Sequence, residues 1–352
     1  MSFPRKFTMI RPDDFHVHLR RGRMLQQVTK YTAEVFGRAL VMPNTTVGIV
    51  NHRLARNYYE EIMRNVRGDF RPLMTIKLTA DTSKRMIVEA AASRYVYSAK
   101  LYPEGVTTNS GDGFRDITEL YPVFDQMQAS GLILCLHGEL PGAGIDTYDR
   151  EKKFLRVLDQ ILTEFPELKV VLEHISTREA TQYVTHDKSG RLGATVTAHH
   201  LKLTRNDVVG QKIRPHNHCR PPAQRFDDRD RLIRAVTNPG QTQFFFGSDS
   251  APHSVLQKEC ADGCAGVFTA PVAMPLLAQL FEAAGSNLDA LQRFTSLNGA
   301  AFYGLEPNQD TITLSRQPWE VPAAHPEPNW NHSLYGVVPF LAGEELTWQV
   351  VG

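Results

Sequence analysis

Short runs of β-branched and apolar residues alternate along the chain with longer stretches whose apolar residues recur at helical spacing. Residues 51–66 and 150–165 are examples of the second pattern. Eight strand-like runs alternating with helices predict a (β/α)8 barrel, an α/β fold. The predicted strands cover residues 11–18, 38–43, 71–78, 96–102, 132–138, 168–174, 194–199 and 243–249.

The same pattern predicts a single domain over residues 1–352, because it contains no short repeat, low-complexity tract or convincing linker. Only the Pro-rich segment after Leu305 lacks clear periodicity. We interpret that segment as an irregular C-terminal extension, from about residue 305, that packs on the barrel.

Charge and cysteine content narrow the classes of function. Lys and Arg number 39 against 38 Asp and Glu, a formal net charge of +1. That balance gives no general field for nucleic acid or anionic membrane, so we expect neither as a partner and expect local recognition of any charged ligand. The chain has no apolar run long enough to span a bilayer, and its first residues lack a secretion signal. Four sparse cysteines favour the cytoplasm, with Cys260 and Cys264 as free thiols.

Polar residues fall repeatedly where predicted strands end. His16 and His18 alternate in the first strand, so both side chains point to one side, and imidazole suits zinc. Alone, this pair is a weak signal. The ends of four further predicted strands carry Lys100, His137, His174 and Asp249. Because strand C-termini open onto the active-site face of a barrel, these side chains are predicted to meet at one mouth.

Lys100 has several possible roles in such a cluster. A protonated ammonium has no lone pair for a metal. Burial and nearby metal charge would lower its pKa and free an amine, which can capture CO2 as a carbamate and bridge two metals. A Schiff-base lysine and a salt bridge to Asp249 are the alternatives, and composition does not choose among them.

These residues stand in motifs of a known family. DFHVHLR at 14–20, MPNT at 42–45 and GSDSAPH at 247–253 occur with AKLYP, LHGE, EHIST, TAHHL, RPH and CAG between and after them. Over nearly its whole length the chain resembles the amidohydrolase superfamily, most closely the dihydroorotases of the shorter bacterial type (class II).

The resemblance implies a binuclear zinc centre. His16, His18 and Asp249 would hold one zinc, His137 and His174 the second, and Lys100 would bridge them as N6-carboxylysine, with CO2 as the source of the carbamate. It implies reversible interconversion of N-carbamoyl-L-aspartate and (S)-dihydroorotate in pyrimidine (UMP) biosynthesis. A hydroxide bridging the metals would attack, with Asp249 as general base and acid. Family members of this type are usually homodimers.

The resemblance also implies a substrate site. Arg20 would bind the substrate carboxylate through its planar fork, with Asn44 and His253 as further contacts. The His18 and His137 side chains would also touch substrate, as would the backbone of Arg220 and Ala265; the role of the Arg220 side chain stays open. Residues 103–114 are predicted to be a lid in which Thr107 and Thr108 contact the substrate. His199 and His200, placed at the end of the seventh strand, are given only a supporting role.

Three rival functions fit the sequence less well. A dihydropyrimidinase or hydantoinase would share the metal centre but need not recognise a carboxylate, whereas Arg20, Asn44 and His253 favour a site that does. A barrel aldolase using Lys100 would have no use for four histidines at strand ends. A catalytically silent barrel should have lost a ligand or the base, whereas all six positions of the metal centre are filled. The segment 214–222, with a second H-x-H before Cys219, is a rival metal site that the family does not use.

Overall fold

The computed structural model describes residues 4–105, 111, 113, 114, 116–325 and 336–351. Eight parallel strands form one sheet in which each strand lies beside the next one along the chain. An isolated parallel bridge between Val17 and Ser250 joins its two edges, so the sheet is a nearly closed barrel. The predicted (β/α)8 fold is confirmed. These strands are β2 (Asp13–Val17), β3 (Arg38–Val41), β4 (Arg71–Lys77), β5 (Val96–Leu101), β6 (Ile133–His137), β7 (Val170–Glu173), β8 (Leu192–Val196) and β9 (Phe244–Phe246).

Helices occupy the connections between these strands. Several begin at a side chain that accepts a hydrogen bond from a free backbone N–H of the first turn, namely Asn51, Ser83 and Thr177. The helices are α1 (Gly22–Ala33), α2 (His52–Met63), α3 (Lys84–Ala91), α4 (Tyr121–Ser130), α5 (Arg150–Glu164), α6 (Arg178–His186), α7 (Ala198–Lys202), α8 (Asn206–Val209), α9 (Phe226–Val236), α10 (Val255–Lys258), α11 (Ala273–Ala283), α12 (Leu288–Gln292) and α13 (Asn298–Phe302). Residues Ile117–Leu120 and Pro215–Asn217 form short 3-10 helices, and Arg293–Leu297 forms a π-helical turn.

Apolar side chains fill the space inside the barrel and between barrel and helices. The smaller inner cluster includes Phe15, Leu40 and Phe245, and the ring of Tyr303 stacks on Phe15 with centroids 4.9 Å apart. Because Tyr303 directly follows α13, this helix packs against one end of the barrel interior. The polar residues considered below are therefore carried on a close-packed support.

The chain termini are more regular than the sequence pattern indicated. The strand β1 (Lys6–Ile10) pairs antiparallel with β10 (Thr311–Ser315), which pairs with β13 (Gln349–Val350). A second small sheet joins β11 (Trp319–Glu320) to β12 (Glu345–Leu346). The segment after Leu305 was expected to be irregular, but it contains four short strands. The strand β10 pairs with β1, which lies about 300 residues earlier in the sequence, so no neighbouring segment indicates this pairing.

Two boundaries differ from the predicted ones near the site. His199 and His200 lie in α7 and not at the end of a strand, because the Thr197 side chain accepts a hydrogen bond from the His200 N–H and starts a helix there. The eighth barrel strand ends at Phe246, so Asp249 lies in the loop that follows it. Gly247 allows this turn, since a Cβ there would lie 2.9 Å from the Cβ atoms of both His16 and Thr195.

Candidate active site

Six predicted residues converge at the C-terminal ends of the barrel strands. Three of them, His16, His18 and Asp249, have ligand atoms that all lie within 4.8 Å of one another and could hold a metal ion. The six residues together, which also include Lys100, His137 and His174, are called the metal-type cluster below. Asp249 Oδ1 is 3.0 Å from His18 Nε2 and 3.4 Å from His16 Nε2. The His174 ring extends the cluster, with centroids 4.9 Å from His16 and 4.7 Å from His137.

Burial keeps three of these histidines in the neutral form that can bind a metal. It is the main cause that lowers the pKa of His16, and it lowers the pKa of His18 and His174 well below the ordinary value. Nearby cationic groups, Lys100 among them, act in the same direction. A neutral imidazole offers one nitrogen lone pair, which is the form a transition metal requires.

Lys100 lies in the same cluster as a buried amine without a partner. Its Nζ forms no hydrogen bond within the described ranges, and no carboxylate lies within 4.0 Å of it there. The alternative of a salt bridge to Asp249 therefore has no geometric support. Burial lowers the pKa of the Lys100 ammonium. Four histidines and a carboxylate are a donor set that fits transition-metal binding.

Two buried carboxylates that we did not predict orient the histidines. Glu173 Oε2 is 2.8 Å from His16 Nδ1 and accepts a hydrogen bond from the Thr195 hydroxyl. Glu139 Oε2 is 2.7 Å from His137 Nε2. Each carboxylate leaves the other ring nitrogen of its histidine for a metal, an arrangement found around most metal-binding histidines. Burial raises the pKa of Glu173, but its interactions with His16 and Lys100 and its hydrogen bonds from His16 and Thr195 lower it to about 2, so Glu173 stays ionised.

Backbone conformation at the mouth is unusual. Three of the four non-glycine residues with positive φ in the described chain belong to this site: Arg20 at 60°, His174 at 41° and Asp249 at 42°. Hydrogen bonds to other elements hold two of them, since the Asp249 N–H donates to the His16 carbonyl at 2.8 Å and the His174 N–H to Thr195 Oγ1 at 2.6 Å. Such conformations cost free energy and cluster where function requires a side chain in a fixed direction.

The predicted carboxylate contacts lie beside the metal-type cluster. Arg20 Nη2 is 2.9 Å from His253 Nε2, and Arg20 Nε donates to the Pro252 carbonyl at 3.0 Å. Burial, with Arg20 as the next cause, lowers the pKa of His253 to about 2, so His253 is a neutral hydrogen-bonding group and not a cation. Asn44 is buried and lines the same pocket as His18. One pocket is lined by His16, His18, Arg20, Asn44, Tyr102, His137, His174, Arg220, Asp249, Ala251, Ala265 and Gly266.

Other predicted residues are placed less centrally. The Arg220 guanidinium lines the pocket, bonds Thr147 Oγ1 and lies 3.9 Å from Glu139 Oε1. Thr107 and Thr108 lie outside the described residues.

The rival histidine motif does not form a metal site of its own. In segment 214–222, His216 pairs with Glu259 at 2.8 Å, whereas Cys219 belongs to a different group with His199 and His200, which lie outside the segment. His200 Nε2 is 3.0 Å from the Pro221 carbonyl oxygen and must donate its proton there, while its Nδ1 faces the Thr197 hydroxyl. Both ring nitrogens are thus engaged, which favours support of the pocket wall over metal binding.

Known proteins share this architecture and this order of motifs. Residues 9–319 match the amidohydrolase family. The dihydroorotase of Azoarcus sp. (strain BH72) is 46% identical over 346 residues, which cover 97% of this chain and 98% of that protein. The chain belongs to the amidohydrolase family, among its dihydroorotases. The predicted family is therefore confirmed.

Solved dihydroorotases superpose on nearly the whole chain. That of Saccharomyces cerevisiae, in complex with 5-fluoroorotic acid, has a TM-score of 0.91 and 32% identity, with 99% of both chains covered. That of Campylobacter jejuni has a TM-score of 0.88 and 34% identity, with 99% of this chain and 98% of the other covered. The likeness to these two dihydroorotases thus covers 99% of this chain.

The orientation of His16 by Glu173 gives the first prediction. Glu173→Gln is expected to lower metal affinity about 10- to 100-fold. A neutral amide is a weaker acceptor for the His16 Nδ1–H than the Glu173 carboxylate, so it fixes the tautomer of the His16 ring less firmly. Competition titration with a chromogenic chelator measures this affinity. Glu151, a buried carboxylate that accepts hydrogen bonds from Ser176 and Thr177, provides the control substitution Glu151→Gln. Equal metal affinity in Glu173→Gln and native protein would contradict the role of Glu173.

Proposed function

We propose that this dihydroorotase family member interconverts N-carbamoyl-L-aspartate and (S)-dihydroorotate by reversible hydrolysis of the cyclic amide. The observation that carries the proposal is the Arg20 side chain, which lies next to the metal-type cluster. In the described structure its guanidinium contacts a carbonyl and a histidine nitrogen but no carboxylate within 4.0 Å. A partly buried cation without a counter-ion is suited to a substrate carboxylate. A cyclic amide without a carboxylate would leave it unpaired.

The residues present fit two metals, which we propose to be Zn²⁺. His16, His18 and Asp249 would hold one, and His137 and His174 the other. Lys100, as a carbamate, would bridge them; its orphaned buried Nζ supports this assignment. The chemistry that the metals supply when bound is a nucleophilic hydroxide near neutral pH and polarisation of the scissile carbonyl.

Proton transfer is assigned to Asp249. Its carboxylate lines the pocket among His16 and His18 and is held in a positive-φ conformation that points it toward the mouth. Burial raises the pKa of Asp249, with His16 and His200 opposing this shift. Because the Asp249 carboxylate lies against His16 Nε2 and His18 Nε2, it is close to where a metal-bound nucleophile would be held, so Asp249 can take the proton of the nucleophile and pass it to the departing ring nitrogen. In ring closure the same proton moves in the opposite direction.

Parallel assays of two substrates test this function. Purified metal-loaded protein near pH 8 is expected to consume dihydroorotate and to leave dihydrouracil unchanged. The loss of dihydroorotate absorbance measures the reaction. The two rings differ in the carboxylate, so the comparison reports on the Arg20 pocket. Turnover of dihydrouracil alone would reject the substrate and retain the metal centre. Turnover of neither, with metal bound, would favour a catalytically silent barrel.

The planar fork of Arg20 gives a second prediction. Arg20→Lys is expected to raise KM for dihydroorotate about 10-fold or more, because an ammonium cannot replace two parallel N–H···O bonds. Initial rates over a range of dihydroorotate concentrations measure KM. Arg21 bonds Glu61 and serves as the neighbouring control in Arg21→Lys. An unchanged KM in Arg20→Lys would place the carboxylate site elsewhere.

Three further properties belong to the proposal. We propose one domain over the whole chain, a homodimer and a cytoplasmic location, as in family members of this type. None of the helices in the described residues combines the length and apolar character needed to cross a membrane.

A further inference from the structure

Lys258 is a buried ammonium whose hydrogen bonds all go to backbone carbonyls. It is 2% exposed at the end of α10. Its Nζ lies 2.7 Å from the Gly266 oxygen, 2.8 Å from that of Cys264 and 3.2 Å from that of His218. Three carbonyls use all three N–H donors. No carboxylate lies within 4.0 Å of Nζ in the part of the chain that the structure describes.

These three carbonyls belong to the two loops that form one wall of the pocket. His218 lies two residues before Arg220, and Cys264 and Gly266 flank Ala265; both Arg220 and Ala265 line the pocket. A direct bond from the Gly266 N–H to the His218 carbonyl, at 2.8 Å, joins the same loops. Lys258 thus fixes the backbone on both sides of Ala265 and ties it to the Arg220 loop.

The Ala265 backbone in turn contacts the carboxylate-binding residues. The Ala265 backbone lies beside the His253 ring, and His253 Nε2 receives a hydrogen bond from Arg20. Gly266 packs closely against His253, since a Cβ there would lie 2.9 Å from His253 Cδ2. Lys258 is therefore connected to the Arg20 guanidinium through Ala265 and His253.

Charge acts in the same direction as this geometry. The charge of Lys258 follows burial and Arg20 among the causes that lower the pKa of His253, which places it within electrostatic range of the subsite. Burial lowers the pKa of the Lys258 ammonium to about 8, so at neutral pH and below Lys258 is a cation that has no carboxylate within 4.0 Å in the described chain. Solvent screens a buried charge weakly. In that pH range a substrate carboxylate at Arg20 would be attracted by both cations.

We infer that Lys258 is a positioning residue of the carboxylate subsite: it fixes Ala265, and through it His253 and Arg20, and adds an uncompensated positive charge beside them. This inference rests on the proposed function for the identity of the substrate. According to this inference, Lys258 contributes to the selectivity for rings that carry a carboxylate, although it does not contact the substrate.

The test compares Lys258→Met, Lys258→Gln and Lys258→Arg in metal-loaded full-length protein. Lys258→Met is expected to raise KM for dihydroorotate at least about 10-fold and to leave kcat within about 3-fold, because it weakens binding of substrate and transition state alike. Calorimetry with 5-fluoroorotic acid is expected to show a parallel rise in Kd. Lys258→Gln retains two donors without the charge and should lie between Met and native protein. Lys258→Arg keeps the charge and should be closest to native.

Two controls separate a specific effect from a general one. Lys169, an exposed lysine, donates one hydrogen bond to the Phe302 carbonyl at 3.1 Å just before β7, so Lys169→Met removes a lysine-to-carbonyl contact at the opposite end of the barrel and should leave KM unchanged. 5-Fluorouracil, which has the same ring without the carboxylate, should bind native protein and Lys258→Met equally weakly.

Each outcome decides the role of Lys258. A folded, metal-loaded Lys258→Met with native KM and native Kd for 5-fluoroorotic acid would overturn the inference. So would failure of both neutral variants to fold, since Lys258 would then be required for folding. Native protein that binds 5-fluoroorotic acid but does not turn over dihydroorotate would contradict the proposed function alone, because the Kd comparison would still test Lys258.

Discussion

Replacing Asp249 with asparagine is expected to lower kcat about a thousandfold while much of the bound metal remains. General acid–base catalysis typically contributes 100- to 10,000-fold, and an amide cannot accept the proton of the nucleophile. The side chain keeps one oxygen where Asp249 Oδ1 lies 3.0 Å from His18 Nε2. His16 and His18 also remain as ligands, so the loss of turnover should exceed the loss of metal.

The measurement for Asp249→Asn combines kcat for dihydroorotate with metal content of the same sample. Asp228 provides a matched buried carboxylate, since it accepts from the backbone N–H groups of Arg178 and Arg225 away from the metal-type cluster. Asp228→Asn is expected to reduce stability but to leave kcat within about twofold, because it alters a helix cap. If metal-loaded Asp249→Asn keeps native kcat, Asp249 is not the base.

The barrel was predictable because each of its strands is short, apolar and bounded by a helical stretch, a pattern that local sequence carries. The meeting of His16, Lys100, His137 and His174 followed from one rule, that parallel strands of a barrel end on the same face. The pairing of β1 with β10 had no such local signal. It joins Lys6 to Ser315, and neither segment alone shows a partner.

The carboxylates that orient the histidines were missed although the sequence carried a signal. Glu139 lies two residues after His137, and Glu173 immediately precedes His174. Glu173 contacts His16, however, from a strand far away in the sequence. The position of a carboxylate next to a histidine in the sequence therefore did not predict which histidine the carboxylate contacts or that the carboxylate is buried. Both properties depend on how the barrel closes.

Local conformation explains the remaining errors. Thr197 can cap a helix as well as continue a strand, and its bond to the His200 N–H decided in favour of α7. Arg20, His174 and Asp249 adopt positive φ, which is uncommon for any residue with a side chain, although Asp and His adopt it more often than most. At these positions tertiary hydrogen bonds override local preference, as expected for a site whose side chains must point in fixed directions.

Lys100→Ala is expected to lower kcat about a thousandfold or more and to release metal, because both proposed zincs would lose their bridging ligand. The substitution removes a fully buried side chain and leaves a cavity lined by the ring of Tyr102, over which Lys100 Nζ lies 5.3 Å from the centroid. A short carboxylic acid such as acetate or propionate can enter this space and place a carboxylate where the carbamate would be. Added acid is therefore expected to restore part of kcat and of the metal content in a saturable manner.

The choice of rescuing compound distinguishes the roles left open for Lys100. If the native group is an ammonium or a Schiff-base amine, ethylamine should rescue Lys100→Ala and acetate should not. If it is a carbamate, the preference is reversed, since only a carboxylate supplies two oxygens to two metals. Because Nζ has no acidic partner in the described structure, an ammonium would be an unpaired buried charge, which is costly. We therefore expect rescue by acids alone, and rescue by ethylamine would reject the bridging carbamate.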